Sequence, residues 1–284
     1  MRTEKLDLRH IDILYNPLKN CGVAISEYSF ANLYLFRKAH DYEIILGEET
    51  FVRGTSYDGV RYLMPVRDPR KIKHEDLIEY SKNSDMFFPI AEEWLTAFDD
   101  GIFEFSYLEG DMDYVFTSEK IATYRGKKLH GKRNLLQQFY AQYSHEALPL
   151  TPARKDDALR VLDGWQKDSG LTEEETDYEA CREALNLQNE LLLCGGIYYA
   201  DGMPSGFILG EGINDEMFAL HFAKGLRNIK GIYQFMYNNC ASVLHQHYTY
   251  VNFEQDLGKL PLRQAKSSYY PDSMIKKYRV RLKR

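Results

Sequence analysis

The segment VNFEQDLG (residues 251–258) holds two carboxylates, Glu254 and Asp256, two positions apart at the expected end of a strand. That spacing puts both side chains on one face of an extended chain. A carboxylate at a strand end beside a cleft takes a proton from an attacking amine, holds a substrate ammonium, or pairs with the nearby Arg263 and Lys266 as structure. Glu254 is the first choice for the chemical role, with Tyr233 and Asp256 behind it. Arg263 and Lys266, at i and i+3 in LRQAKSSYYP (262–271), share a helical face and offer either a salt-bridge network or a second anion contact.

Three basic stretches are the other candidates. In KGLRNIKG (224–231), Gly225 and Gly231 allow close backbone approach, while Lys224, Arg227 and Lys230 neutralise a phosphate. A basic turn between strand and helix is the plain alternative. YRGKKLHGKRN (124–134) packs five Lys or Arg into eleven residues of a chain whose net charge is -6. With a helix starting at Leu135 or Leu136 and Asn134 and Gln137 as its capping box, Lys127, Lys128, Lys132 and Arg133 crowd a helix N-terminus, where cations are disfavoured unless an anion joins them. The tail KKYRVRLKR (276–284) alternates as an edge strand protected by Lys and Arg, with RNA or an anionic membrane surface as the sharper alternative. His245 and His247 in HQH are too close for an i, i+4 metal pair and suit a helix C-terminus.

Composition narrows the classes. A net charge of -6 argues against a dedicated nucleic-acid coat but leaves room for a local basic site. Cys21, Cys181, Cys194 and Cys240 are scattered, without the CxxC spacing of a zinc site or a disulfide framework. The first residues are charged throughout, and no apolar run is long enough to span a bilayer, so no transmembrane segment and a cytoplasmic location are expected.

The elements that must carry these residues alternate along the chain. SEYSFANLYLF reads as a helix with Ser26 or Ser29 as cap, and YEIILG, TFVRGT and VRYLMPV as short strands. Residues 74–98 read as helical at both ends around a break at Pro89, followed by strands FEFSYLE and DYVFT. Leu136, Phe139, Tyr140 and Tyr143 form one apolar helical face. EALPLTP (146–152) reads as a linker, dividing the chain into domains 1–147 and 148–284. Beyond it come a helix through ALRVLDGW (158–165), followed by Gly170, and one over roughly 178–193, then strands GGIYYADG, PSGFILGEG and EMFALHFAKG, a helix over 230–246, strand YTYVNFE, a short helix and a last strand. A strand meander, a glycine-containing loop opening a helix, then strand, helix and strand is the order of the GNAT acyltransferase fold. The fold class is therefore α+β, with two tandem GNAT-like domains, each a mostly antiparallel mixed sheet flanked by helices. The glycines of 224–231 are spaced more widely than in the Q/R-x-x-G-x-G/A loop of acetyl-CoA enzymes.

Three blocks, DYVFTSEKIATYRGKKLHGKRNLLQQF (113–139), HFAKGLRNIKGIYQFMYNN (221–239) and YVNFEQDLGKLPLRQAKSSYYP (250–271), together with SEYSFANLYLFR, resemble the DUF2156 family, related to the C-terminal domain of phosphatidylglycerol lysyltransferases. The resemblance implies tandem GNAT-like domains that take an amino acid from aminoacyl-tRNA and pass it to a lipid headgroup or another small acceptor. On that basis the chain is expected to be an acyl- or aminoacyl-transferase using aminoacyl-tRNA or acyl-CoA as donor. Lys128, Lys132, Arg133, Lys224, Gly225, Lys230, Gly231, Arg263 and Lys266 would bind the donor. An acetyl-CoA-dependent N-acetyltransferase is one alternative, and a non-catalytic module binding RNA or an anionic small molecule is the other.

Overall fold

A computed structural model of the chain describes residues 2–283. The first half contributes strands β1 (Arg2–Lys5), β2 (Glu43–Leu46), β3 (Phe51–Thr55), β4 (Arg61–Pro65), β5 (Met86–Ile90), β6 (Phe103–Ser106) and β7 (Asp113–Thr117). Later come β8 (His145–Pro149), β9 (Cys194–Ala200), β10 (Met203–Gly212), β11 (Met217–Gly225), β12 (Tyr250–Asn252), β13 (Ser273–Ile275) and β14 (Tyr278–Leu282). The helices are α1 (Ile11–Lys19), α2 (Phe30–Leu35), α3 (His74–Ser81), α4 (Ser118–Thr123), α5 (His130–Gln142), α6 (Lys155–Ser169), α7 (Tyr178–Asn186), α8 (Ile232–Leu244) and α9 (Leu260–Ser267).

The strands build two seven-stranded sheets, ordered β1-β2-β3-β4-β5-β14-β6 and β13-β7-β12-β11-β10-β9-β8. Each runs through four antiparallel neighbours to one parallel pair, β4 with β5 in the first and β11 with β12 in the second. Beyond that pair comes an antiparallel strand distant in sequence, β14 in the first and β7 in the second. This is a GNAT-like sheet made twice, each with flanking helices, and the repetition lies in element order.

One compact unit comprises the chain up to Asp113, Gln255–Gln264 and the chain from Met274 on; the other comprises Tyr114–Glu254 and Ala265–Ser273. This differs from a single cut at 147/148, which falls inside β8. EALPLTP is not a linker: residues 145–149 pair with β9 at the edge of the second sheet, where Pro149 costs no ladder bond on the open side. β7, α4 and α5 lie before the cut yet belong mainly to the second unit, and β14 lies after it yet belongs to the first.

Local chemistry explains most element ends. Ser29 caps α2 by accepting the Asn32 N–H at 3.1 Å. Gly170, at φ +70°, ends α6 in the left-handed region. Asp201 and Gly202, both at positive φ, close the β9–β10 hairpin. The break expected at Pro89 is strand β5, and Pro89 falls where its register with β14 shifts, so no regular ladder bond is lost. β14 is not an edge strand but lies between β5 and β6. Arg284 of the basic tail lies outside the described residues.

Candidate functional site

β11 and β12 run side by side for only three pairs, Met217–Tyr250, Phe218–Val251 and Ala219–Asn252, while β11 continues to Gly225. At the point of divergence β11 bulges. Its pairing with β10 passes from Gly210–Leu220 to Leu209–Phe222, so His221 is an extra residue on the strand. Glycine is required opposite this bulge, because a Cβ on Gly210 would lie 2.1 Å from the Ala219 carbonyl oxygen.

The bulge buries the His221 ring completely between two carboxylates. Nδ1 lies 2.8 Å from Glu254 Oε1, and Nε2 lies 3.0 Å from Glu211 Oε1. Both partners accept, so both ring nitrogens donate and the ring is an imidazolium. Burial works against that charge, but Glu254 and Glu211 outweigh it and lift the His221 pKa to about 10. The carboxylate side chains retain slight exposure, 9% for Glu211 and 12% for Glu254, while the ring has none.

Glu254 has left-handed backbone, φ +59°. Such a conformation costs a non-glycine residue about 1–3 kcal/mol and persists only where the surroundings enforce it. Here the Glu254 N–H donates to Asn252 Oδ1 at 2.7 Å. Its carbonyl accepts from the Tyr114 N–H at 3.3 Å and from Lys266 Nζ at 3.1 Å. Lys266 therefore touches the Glu254 backbone.

The other expected residues have different partners. Asp256 does not share a face with Glu254, because the turn at Glu254 breaks the strand alternation. It is fully buried, accepting from Arg263 Nε at 2.8 Å and from the Gly258 N–H at 2.8 Å. Arg263 is thus engaged in an ion pair. The Tyr233 hydroxyl accepts the Gly225 N–H at 3.2 Å, and burial pushes its pKa up, away from proton transfer near neutrality. Lys224 is buried, 2.5 Å from Asp177 Oδ1 and 3.6 Å from the centre of the Trp165 ring. Gly231 begins α8 at φ +84°, and a Cβ there would lie 2.6 Å from the Leu135 carbonyl oxygen. Helix α5 thus packs directly on the end of α8, where a pyrophosphate cradle was expected. Lys230 is exposed.

The stretch 124–134 also differs from expectation. α5 begins at His130, with no side-chain cap, and not at Leu135 or Leu136. Arg133 donates to the carbonyls of Tyr124 and Gly126, the latter at 2.9 Å, and so closes the C-terminal end of α4. Lys132 donates to Ser268 Oγ at 2.7 Å and sits 3.9 Å from the Tyr269 ring centre, and burial lowers its pKa. Lys127 and Lys128 are exposed, Lys128 lying 5.4 Å from the ring of Tyr270. In the C-terminal tail, Lys277 and Arg279 are buried in ion pairs with acids, not offered to RNA or a membrane surface.

Glu211 and His221 were missed from the sequence. Their signal was one charged or titratable residue in each of two otherwise apolar strands, FILGEG and FALHFA. Among the described residues no group of His, Cys, Asp and Glu could hold a metal ion, and no helix is long and apolar enough to cross a membrane.

The family profile described as "Phosphatidylglycerol lysyltransferase, C-terminal" matches residues 21–281. An uncharacterised protein of Mycoplasmoides gallisepticum is 26% identical over 183 residues, and the match spans 61% of this chain but only 57% of that relative. A conserved Bacteroides thetaiotaomicron protein of unknown function has a crystal structure that superposes with TM-score 0.86 at 26% identity, covering 100% of both chains. The structure of L-PGS from Bacillus licheniformis superposes with TM-score 0.65 at 15% identity, covering 99% of this chain and 93% of that one, which is a likeness of fold. The chain belongs to the phosphatidylglycerol lysyltransferase C-terminal family, the DUF2156 family.

Proposed function

We propose that this chain is an aminoacyltransferase acting at the Glu211–His221–Glu254 cluster, with aminoacyl-tRNA as donor and an amine or hydroxyl as acceptor. The observation that carries this reading is the imidazolium-bridged pair of carboxylates at the split between β11 and β12. An acceptor hydroxyl or amine attacks the aminoacyl ester carbonyl. The new C–O or C–N bond forms, the bond to the ribose oxygen breaks, and the proton of the nucleophile passes to Glu254. The ribose oxygen leaves with a proton returned from the same site. His221 holds Glu254 and Glu211 in orientation. The family description points to a lipid-headgroup acceptor, with a small-molecule acceptor as the other candidate.

Two features favour a tRNA donor over acyl-CoA. The end of α8 is covered by the Leu135 carbonyl, and Lys224 is committed to Asp177 and Trp165. The exposed Lys127, Lys128 and Lys230 suit distributed contacts to phosphates. A non-catalytic RNA-binding module is the second reading, favoured by Lys128 beside the exposed Tyr270, a pairing that suits stacking of an unpaired base.

Separate incubation with charged tRNA and with acetyl-CoA tests the proposal, measuring loss of each donor with and without candidate acceptors. The expected result is loss of the tRNA ester that falls about 10²-fold or more in Glu254→Gln. Consumption of acetyl-CoA alone refutes the tRNA donor. Tight RNA binding with no turnover of either donor supports the binding module and refutes the enzyme.

A further inference from the structure

Lys128 and Lys132 both lie against one short stretch of their own unit, residues 268–270. Lys132 donates to Ser268 Oγ at 2.7 Å and stands 3.9 Å from the centre of the Tyr269 ring. Lys128 stands 5.4 Å from the centre of the next ring, that of Tyr270. Among the described residues no carboxylate pairs with Lys132, and burial lowers its pKa with no acid to offset it. Its ammonium has more donors than one hydroxyl and one ring face use. A half-buried cation without an acid is placed to receive an anion. Lys128, over the neighbouring ring, adds a second charge beside it.

The two tyrosines differ in what holds them. Tyr269 is buried, and its hydroxyl accepts from Gln234 Nε2 at 2.9 Å. Tyr270 is 44% exposed and has left-handed backbone, φ +56°. A bulky residue keeps that conformation only where its surroundings enforce it. Here the Tyr270 N–H donates to the Ser267 carbonyl at 2.9 Å, and the Tyr270 carbonyl accepts from Lys120, which pairs with Asp272 at 2.9 Å. A ring this exposed adds little burial to offset the strain. The turn therefore presents an aromatic face to solvent on a fixed backbone, with cations beside it.

The same stretch reaches the carboxylate cluster. Lys266 donates to the Glu254 carbonyl at 3.1 Å, and its own carbonyl accepts the Tyr269 N–H at 3.1 Å. The Tyr269 ring stands 6.3 Å from that of Phe253, the residue before Glu254. We infer that Lys128, Lys132, Ser268 and Tyr270 form a subsite for the unpaired 3′ end of an RNA: the lysines hold a phosphodiester and a base stacks on the Tyr270 ring. An unpaired end is favoured over a duplex because paired bases stack on one another and leave no face for the tyrosine. The inference rests on the reading of aminoacyl-tRNA as donor, whose ester sits on such an end. Beyond that reading, it assigns where the last nucleotides bind, next to the segment that touches Glu254.

The test compares 5′-labelled RNA hairpins, one with an unpaired CCA 3′ overhang and one blunt with the same number of phosphates, by fluorescence anisotropy across a salt series. The wild-type chain is expected to bind the overhang hairpin more tightly. Tyr270→Ala is expected to weaken the overhang hairpin about tenfold and to leave the blunt one unchanged. Tyr270→Phe, which returns a ring, is expected to recover most of that loss. Lys132→Met keeps an apolar stem over Tyr269 and is expected to reduce the salt slope for the overhang hairpin by about 0.7, the share of a single-strand phosphate. Equal wild-type affinity for both hairpins, an equal or absent loss on both in Tyr270→Ala, or an unchanged slope in folded Lys132→Met overturns the inference. So does equal competition by inorganic phosphate and by adenosine monophosphate, which marks a bare phosphate site. The hairpins carry no amino acid, so a preference for the overhang without turnover of charged tRNA counts against the proposed reaction alone.

Discussion

Replacing Glu27 with glutamine separates the electrostatic cost of burying this carboxylate from the hydrogen bonds it makes. Burial raises the Glu27 pKa, the Lys277 ammonium lowers it and the Asp113 carboxylate raises it again, leaving it at about 7 against an ordinary 4.5. The folded chain therefore keeps a proton that the unfolded chain gives up. The stabilisation is complete below pH 4.5 and is lost as pH rises through 7. The gap of about 2.5 pH units, at about 1.4 kcal/mol each, makes the loss roughly 3 kcal/mol by pH 8.5. The amide that replaces the carboxyl still accepts from Lys277 and has no proton to lose. Glu27→Gln should therefore gain on the wild type with rising pH, by roughly 3 kcal/mol between pH 4 and 8.5. His221 also titrates in this window: its raised value adds stability that is full below 6.5 and is lost as pH rises through about 10. That contribution is common to both proteins and cancels in their difference. Lys277 is raised to about 12 from 10.5, so its contribution is lost only above the window. Urea unfolding at pH 4, 5.5, 7 and 8.5 measures the difference. In a Trp165→Phe background, Trp94 reports the first unit as the single remaining tryptophan. A difference that stays constant with pH, or that favours the wild type more as pH rises, refutes the account of a buried, proton-holding Glu27.

Other substitutions separate structural cations from functional ones. Arg133→Met should cost about 1.5–3 kcal/mol in denaturant unfolding, because it removes the charged donor at the end of α4, while leaving RNA affinity within twofold. Lys127→Ala with Lys128→Ala should leave stability within about 0.5 kcal/mol and flatten the salt dependence of tRNA binding, read by filter binding across a salt series. Gly231→Ala should destabilise by about 2 kcal/mol or more, since its φ disfavours a side chain and the new Cβ meets the Leu135 carbonyl; thermal unfolding measures it.

The sequence carried the element types better than the partners. Helical spacing in ALRVLDGW and the cap at Ser29 depend on nearest neighbours along the chain, and both are found as expected. The role of EALPLTP was not legible, because whether a proline-containing stretch becomes an edge strand depends on β9, some fifty residues away. Counting charges misled in a similar way. Arg133, Lys224, Lys277 and Arg279 look like free cations in one dimension, and each finds a carbonyl or carboxylate only in the fold. Glu254 was legible as a candidate because it ends a strand. Its partners were not, since His221 reaches it through a bulge, and a bulge depends on the register with β10.

The two sheets allow a comparison that bears on where chemistry is placed. Both contain a parallel pair, and the residue two positions past its last pairing differs between them. In the first sheet the pair ends at Leu63–Phe87, and two residues on stands Pro65, locked into the ladder opposite Phe51. In the second the pair ends at Ala219–Asn252, and two residues on stands His221, freed from the ladder by the bulge. A proline at that point offers no donor and no titratable atom. An imidazolium there offers two donors, and it draws a carboxylate from each flanking strand region. In the first unit the buried Lys277 is paired with Glu27 and Asp113. The split in the second sheet thus presents a hydrogen-bonding, titratable group where the first sheet presents none.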